Sequence, residues 1–347
     1  MKFPSHNKSV SPGISRRKAI QMLGLGVVAA TAFGRRLDAA GSASTTTKRP
    51  PSEGNGNAET WRFMIGNIEA ISVCDGFGTF SPAHTVWPKD ATESGIARQL
   101  EAAFLPAGKA IMSYNVLVLC AGKEVILVDT GCGAVANPDS GRLIANLATV
   151  NLRPQDITAV VITHGHSDHI GGLLDAAGAP AFTNARLFIR KKELDYWFSE
   201  NPDTSTMMVD ETAQKWTVGS ARKYLGPLKD AFLLVEPGQR ILDCIEIVDT
   251  AGHTPGHASL LIRSGEETLF HMADVTHHSI LSFANPEWRL SFDSIPELAA
   301  TTRRKILTRL SSERTRAFSY HAPFPGVAHI AADGRGFRWV PENWSIV

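Results

Sequence analysis

The sequence predicts an α/β layered domain, sheets covered by helices, and three observations lead there. Short β-rich runs alternate with helical patterns, some of those runs are almost wholly apolar, and polar residues able to do chemistry gather where runs end. Glu69 to Cys74, Val116 to Cys120 and Glu124 to Val128 are the first strands, each bounded by Gly or Asp, and the last is the continuous apolar kind found inside a covered sheet. Leu143 to Val150 reads as a helix, and Ile157 to Thr163 repeats the apolar strand pattern. A strand at Ala185 to Ile189 is followed by helices at Lys191 to Phe198 and Thr212 to Tyr224. Strands at Ile245 to Asp249, Ser259 to Ile262 and Thr268 to His271, a helix at Ile295 to Leu310 and a β-like run from Arg316 to Tyr320 complete the order.

The chain of 347 residues is 43% hydrophobic and 20% charged, enough to build one large core or two small ones. With 35 Lys and Arg against 34 Asp and Glu there is no basic excess for a phosphate backbone or an acidic lipid surface, so nucleic acid is excluded as the expected partner. Cys74, Cys120, Cys132 and Cys244 form no C-x-x-C pair, which argues against a zinc ribbon or a dithiol redox motif. They read as packing residues, although Cys132 follows Asp129-Thr130-Gly131 closely enough to approach a site there.

At the amino terminus, Ser15-Arg16-Arg17 precedes the apolar run Ala19 to Phe33, too short and too rich in Gly and Ala to span a bilayer. Residues 1–38 are therefore expected to be a twin-arginine-type signal, read by that export machinery, with a periplasmic or secreted product and no stable membrane insertion. Residues 39–59 hold almost no large apolar side chain and read as a flexible linker, which leaves 60–347 as the folded domain.

The sharpest signal is Thr163-His164-Gly165-His166-Ser167-Asp168-His169, at the end of the apolar strand. Side chains two apart on an extended segment point the same way, so His164 and His166 can grip one ion, while Asp168 and His169, farther along as the chain turns, can reach a second. Nitrogen and oxygen donors together suit a transition metal better than a solvated loop.

This H-x-H-x-D-H pattern after a hydrophobic strand resembles the signature of the metallo-β-lactamase superfamily, which implies a four-layered αββα sandwich. Further matches follow in order. Val128-Asp129-Thr130-Gly131 resembles the motif whose aspartate, here Asp129, orients a ligand from behind. Ala251-Gly252-His253-Thr254-Pro255-Gly256-His257 supplies His253, and Phe270-His271-Met272-Ala273-Asp274 supplies Asp274 as a bridging carboxylate, with Ala273 where the family often has Gly. Ser319-Tyr320-His321 supplies the last ligand, His321, preferred over His329 because it ends a β-like run. The resemblance implies two divalent cations per chain, Zn2+ first with Mn2+ and Co2+ as alternatives. His164, His166 and His253 would hold one, Asp168, His169 and His321 the other, and Asp274 both.

A finer likeness, carried by Trp61 to Gly76, Gly141-Arg142-Leu143 and the stretch from His321 to Pro341, is to the methyl parathion hydrolase branch, linked to lactone, aryl-ester and organophosphate hydrolysis. The implied activity is hydrolysis by a hydroxide shared between cations, acting on lactones or carboxylic (aryl) esters, with organophosphate triesters as the alternative and β-lactams third. Mononuclear iron oxygenases and glyoxalase-type thioesterases reuse the scaffold, and metal content and an added carboxyl-terminal region separate them. Asp168 and Asp274 are the expected catalytic carboxylates, and His277, three residues past Asp274, is expected to face the pocket and hydrogen-bond a departing oxygen or a substrate carbonyl. Trp197 and Phe283, with Trp288, are candidate pocket walls, and Ala134-Val135-Ala136 leaves one flank open. A small ester or lactone is the expected partner, and a second copy of the chain, as a homodimer, a further candidate.

Overall fold

The computed structural model describes residues 59–133 and 138–343. The expected signal at 1–38, the linker through residue 58 and Ala134-Val135-Ala136 lie outside them. The chain opens with the hairpin β1 (Thr60–Ile65) and β2 (Ile68–Phe80), then α1 (Glu93–Ala102), β3 (Ala110–Ala121), β4 (Glu124–Val128), α2 (Leu143–Thr149) and β5 (Ala159–Ile162). A single helical turn, α3 (Ser167–Ile170), leads on to β6 (Arg186–Arg190), α4 (Lys191–Phe198), α5 (Glu211–Leu225) and β7 (Phe232–Val235). The second half runs β8 (Arg240–Ile241), β9 (Ile245–Asp249), β10 (Ala258–Ser264), β11 (Glu267–His271), α6 (Leu281–Ala284), α7 (Pro296–Glu313), β12 (Arg316–Phe318), β13 (Val327–Asp333) and β14 (Gly336–Pro341).

The strands form two seven-stranded sheets, β1 to β7 in chain order and β14 to β8 in reverse. In the first, β1 to β4 are antiparallel and β4 to β7 parallel; in the second only β11 and β12 run parallel. Side chains alternate across each strand, and this fixes the layers. Leu117, Leu119, Ile126 and Val128 of the first sheet meet Ile247, Leu260, Ile262 and Phe318 of the second in a core between the sheets. Their neighbours Val116, Val118 and Leu127 face outward onto Leu143, Leu147, Leu194 and Leu225 of α2, α4 and α5. On the far side Leu261, Phe270 and Ala317 pack against Ile306, Leu307 and Leu310 of α7. The result is the expected αββα sandwich.

Local chemistry sets the helix starts. Asp210 accepts a bond from Ala213 N at 2.8 Å to begin α5, Thr92 caps α1 through Gly95 N, and Pro296 opens α7 with its fixed φ. No helix among the described residues is long and apolar enough to cross a membrane.

Candidate metal centre

Strands from both sheets end at one edge of the sandwich, and their exits carry the predicted polar residues. Asp129 follows β4, Thr163 to His166 follow β5, His253 lies in the turn between β9 and β10, Asp274 follows β11 and His321 follows β12. The turn α3 begins directly after His166, which swings Asp168 and His169 away from the extended His164 to His166 segment. Ala273 adopts φ +46°, the left-handed region that L residues enter at a cost of about 1–2 kcal/mol. That backbone explains why a glycine suits this position, and Asp274 is nevertheless delivered into the cluster.

Donor atoms of His164, His166, His253 and Asp274 all lie within 4.8 Å of one another, and so do those of Asp168, His169 and His321. Asp274 joins the two sets. Its Oδ2 lies 3.7 Å from His164 Nε2, 3.2 Å from His253 Nε2 and 3.1 Å from His321 Nε2, and its Oδ1 lies 3.1 Å from His169 Nε2. Asp168 Oδ2 stands 3.7 Å from His169 Nε2 and 3.6 Å from His321 Nε2.

Whether these residues fit cations is tested by their unsatisfied atoms. Nε2 of His164, Nε2 of His169 and Oδ1 of Asp274 are buried without a hydrogen-bond partner, although a buried polar atom left unpaired costs about 1–3 kcal/mol. Lone pairs converging in this way suit two metal ions. Burial pushes His164 and His166 well below their usual pKa and so keeps them neutral, the form that ligates. Burial pushes the Asp274 carboxyl up, but the imidazoles around it, His169 foremost, outweigh that and hold the group well below the carboxylate range.

The outer nitrogens of the histidines are held from behind. Asp129, fully buried, meets His169 Nδ1 at 2.8 Å and accepts from Thr163 N and Thr163 Oγ1, each at 2.8 Å. Thr163 Oγ1 also sits 3.1 Å from His164 Nδ1, and His321 Nδ1 donates to Ser113 O at 3.0 Å. Tyr320 stacks on His169 with ring centroids 3.9 Å apart and donates its hydroxyl to Asp168 O at 2.6 Å.

The family profile described as the metallo-beta-lactamase superfamily matches residues 112–321, well over half of the chain. The chain belongs to the metallo-beta-lactamase superfamily. Among its curated relatives, an N-acyl homoserine lactonase of Bacillus cereus is 22% identical over 183 residues, which cover 53% of this chain and 63% of that protein, so less than two thirds of the relative is matched. Among solved structures, AidC, a dizinc quorum-quenching lactonase, superposes with a TM-score of 0.80 at 26% identity, covering 84% of this chain and 100% of that one. The hydrolase AbOPH, of the beta lactamase superfamily, gives a TM-score of 0.76 at 25% identity over the same shares.

In this superfamily member two buried carboxylates act at the cluster that sequence reasoning missed. Asp293 Oδ1 meets His253 Nδ1 at 2.8 Å, and its Oδ2 accepts from Leu290 N at 3.0 Å and lies 3.5 Å from the Arg303 guanidinium. Glu193, on α4, accepts from Gly165 N, Gly256 N and the Thr254 hydroxyl, on the loops that carry His164, His166 and His253. Neither belongs to a spaced motif, and no pattern in the sequence marks them.

A cavity of about 310 Å³ opens over the cluster. His277 lines it, with Nε2 3.1 Å from Asp274 Oδ2 and its ring stacked 5.1 Å from His321. Phe80, Val86, Met112, Leu290 and Phe292 make apolar walls and the half-exposed Trp216 stands at the rim. The expected walls Trp197 and Phe283 are elsewhere, and both expectations are corrected. Trp197 is fully buried in the core under the first sheet, its indole donating to Glu193 Oε1 at 2.7 Å. Phe283 packs against Trp339 beneath the second sheet. An aromatic at helical spacing meets the core more often than a ligand, and here the core won. Trp288 packs on Trp87, His329 lies exposed away from the cluster, and Cys132 is buried yet reaches the cavity lining.

Proposed function

We propose that this protein is a metal-dependent hydrolase that opens lactones or cleaves carboxylic esters, aryl esters included. One observation carries the proposal: two donor sets joined at Asp274 form the floor of a cavity whose walls are apolar. His164, His166 and His253 would hold one ion and Asp168, His169 and His321 the other, zinc as in the dizinc lactonase AidC, with manganese and cobalt as alternatives. Divalent ions held there lower the pKa of water and polarise a substrate oxygen.

The chain's own residues orient and move protons. Phe80, Met112 and Phe292 exclude water around an acyl or aryl group. Asp168, whose side chain is a quarter exposed and whose carbonyl is tied down by Tyr320, would take up the proton that the nucleophile sheds. His277, facing the cavity, would turn the N–H that it holds toward Asp274 Oδ2 to the departing oxygen as the acyl C–O bond breaks.

The same residues would serve a phosphotriester, the second reading, since an aryl leaving group fits apolar walls equally well. Initial rates on an aryl lactone and a paraoxon-type triester, measured with metal-analysed protein, separate them. We expect the lactone to turn over faster and activity to vanish on exhaustive chelation and return with zinc. Activity that survives chelation overturns the proposal, and the reverse order of rates makes the protein a triesterase. Twin-arginine export of the chain is part of this reading; Arg16→Lys with Arg17→Lys should leave precursor in the cytoplasm.

A further inference from the structure

One buried carboxylate has no part in the proposed reaction yet touches both loops that supply His164, His166 and His253. Glu193, in the first turn of α4, is wholly buried. Its Oε1 accepts from Gly165 N at 2.8 Å and Trp197 Nε1 at 2.7 Å, and its Oε2 accepts from Thr254 Oγ1 at 2.6 Å and Gly256 N at 3.0 Å. Gly165 stands between His164 and His166, and Thr254 directly follows His253. Each oxygen therefore serves a different ligand loop, and the rigid carboxyl plane fixes the distance between them.

The packing around it shows that the loops are pressed onto α4. A Cβ on Gly256 would lie 2.2 Å from Glu193 N, and one on Gly165 would lie 2.3 Å from Trp197 Nε1. No side chain can intervene. Four donors converge on this side chain, and only a carboxylate offers acceptors on both sides; an amide would set N–H against N–H on one of them. None of the four bonds reaches Asp168, His169 or His321.

We propose that Glu193 is a positioning residue that holds His164 and His166 in register with His253, and thereby sets ion affinity at that donor set alone. The proposal rests on the two-ion reading above. It differs from plain structural support in being asymmetric between the sets, so it is read in ion affinity rather than turnover.

The test is a competition titration of the zinc-loaded full chain against a chromophoric chelator, repeated with cobalt to follow its visible absorption. Wild-type protein should release two ions. Glu193→Gln should weaken one of them by ~10–100-fold, the range typical when a ligand's support is lost, and leave the other within about twofold. The weakened ion should be the one missing from His253→Ala, and its cobalt bands should shift. Trp197→Phe, which removes one donor but keeps both loop bonds, should retain both affinities even if it melts earlier. Should Glu193→Gln fail to fold, Thr254→Val cuts one loop bond and should loosen the same ion by a smaller factor. Equal loosening of both ions, unchanged affinities in Glu193→Gln or Thr254→Val, or a Trp197→Phe protein that loses the same ion would overturn the proposal alone. A wild-type chain that takes up no ion would overturn the metal reading and this proposal together.

Discussion

Asp129 and Asp293 grip different histidines in the same way, but they are themselves held differently. Asp129 is oriented locally, by two bonds from Thr163, the residue next to a ligand. Asp293 takes one bond from the nearby Leu290 N but is otherwise oriented from a distance, by Arg303 on the helix that covers the other sheet; that guanidinium also donates to the carbonyls of Val275, Pro286 and Trp288. Their acidities diverge accordingly. Burial pushes Asp129 up, and the bonds from His169 and Thr163 do not cancel it; burial pushes Asp293 up too, but His253 and Arg303 outweigh it and bring it below its usual value. The ligand from the first sheet is thus fixed by its neighbour, and the ligand from the second by the outer helical layer.

Removing what both halves share sets the scale. Asp274→Ala and His166→Ala should each lower turnover by at least ~10³-fold, the loss of several kcal/mol of charge stabilisation, with far-UV circular dichroism unchanged. Next comes the contrast between the supports. Arg303→Met strands a buried carboxylate and should destabilise the fold by about 3–5 kcal/mol, whereas Thr163→Val removes a neutral donor and should cost about 1 kcal/mol, both read from urea midpoints. Similar losses from the two would erase the distinction. Asp129→Asn and Asp293→Asn should each weaken one ion by ~10–100-fold, and a different one in each case, as shown by metal content after dialysis against a chelator.

The smallest effect concerns pH. Burial lowers His278 to about 4; burial, with His169, lowers His271 to about 3 against the opposing Asp274, while the ordinary value is 6.5. The unfolded chain therefore binds protons below pH 6.5 that the folded chain refuses, and stability falls as pH drops from 6.5 toward 4. Each group should contribute at most about 1.4 kcal/mol per pH unit, and His278→Gln should flatten the acid limb of the unfolding midpoint. Unaltered acid sensitivity in that variant would rule out His278 as a source.

Much of this was legible in the sequence because spacing and strand ends carry the ligands. Glu124–Val128, Lys191–Phe198 and Ile245–Asp249 stand where their patterns place them, since strong alternation or helical periodicity leaves little choice. Elements with weak patterns escaped. β7 exposes Leu233 and Leu234 on a sheet edge, and α1 buries only Ile96 and Leu100. The β13–β14 hairpin did carry a signal, the Asp333-Gly334 pair with Gly334 at φ +56°. Glu193 and Asp293 could not be read, because their partners are backbone groups and side chains brought near only by folding. Trp197 misled because a residue touching a ligand loop from behind and one facing substrate have the same local pattern.

The cluster draws on strand exits of both sheets, and that has a thermodynamic corollary. Neither sheet alone carries a full complement of donors for Asp274 and its neighbours, so cations can bind tightly only to a sandwich that has docked completely. Any ligand exclusive to the native state raises its melting point in proportion to the logarithm of ligand concentration over dissociation constant. Divalent ions should therefore behave as a clasp across the whole molecule, and stripping them should shift a single cooperative transition rather than loosen one loop.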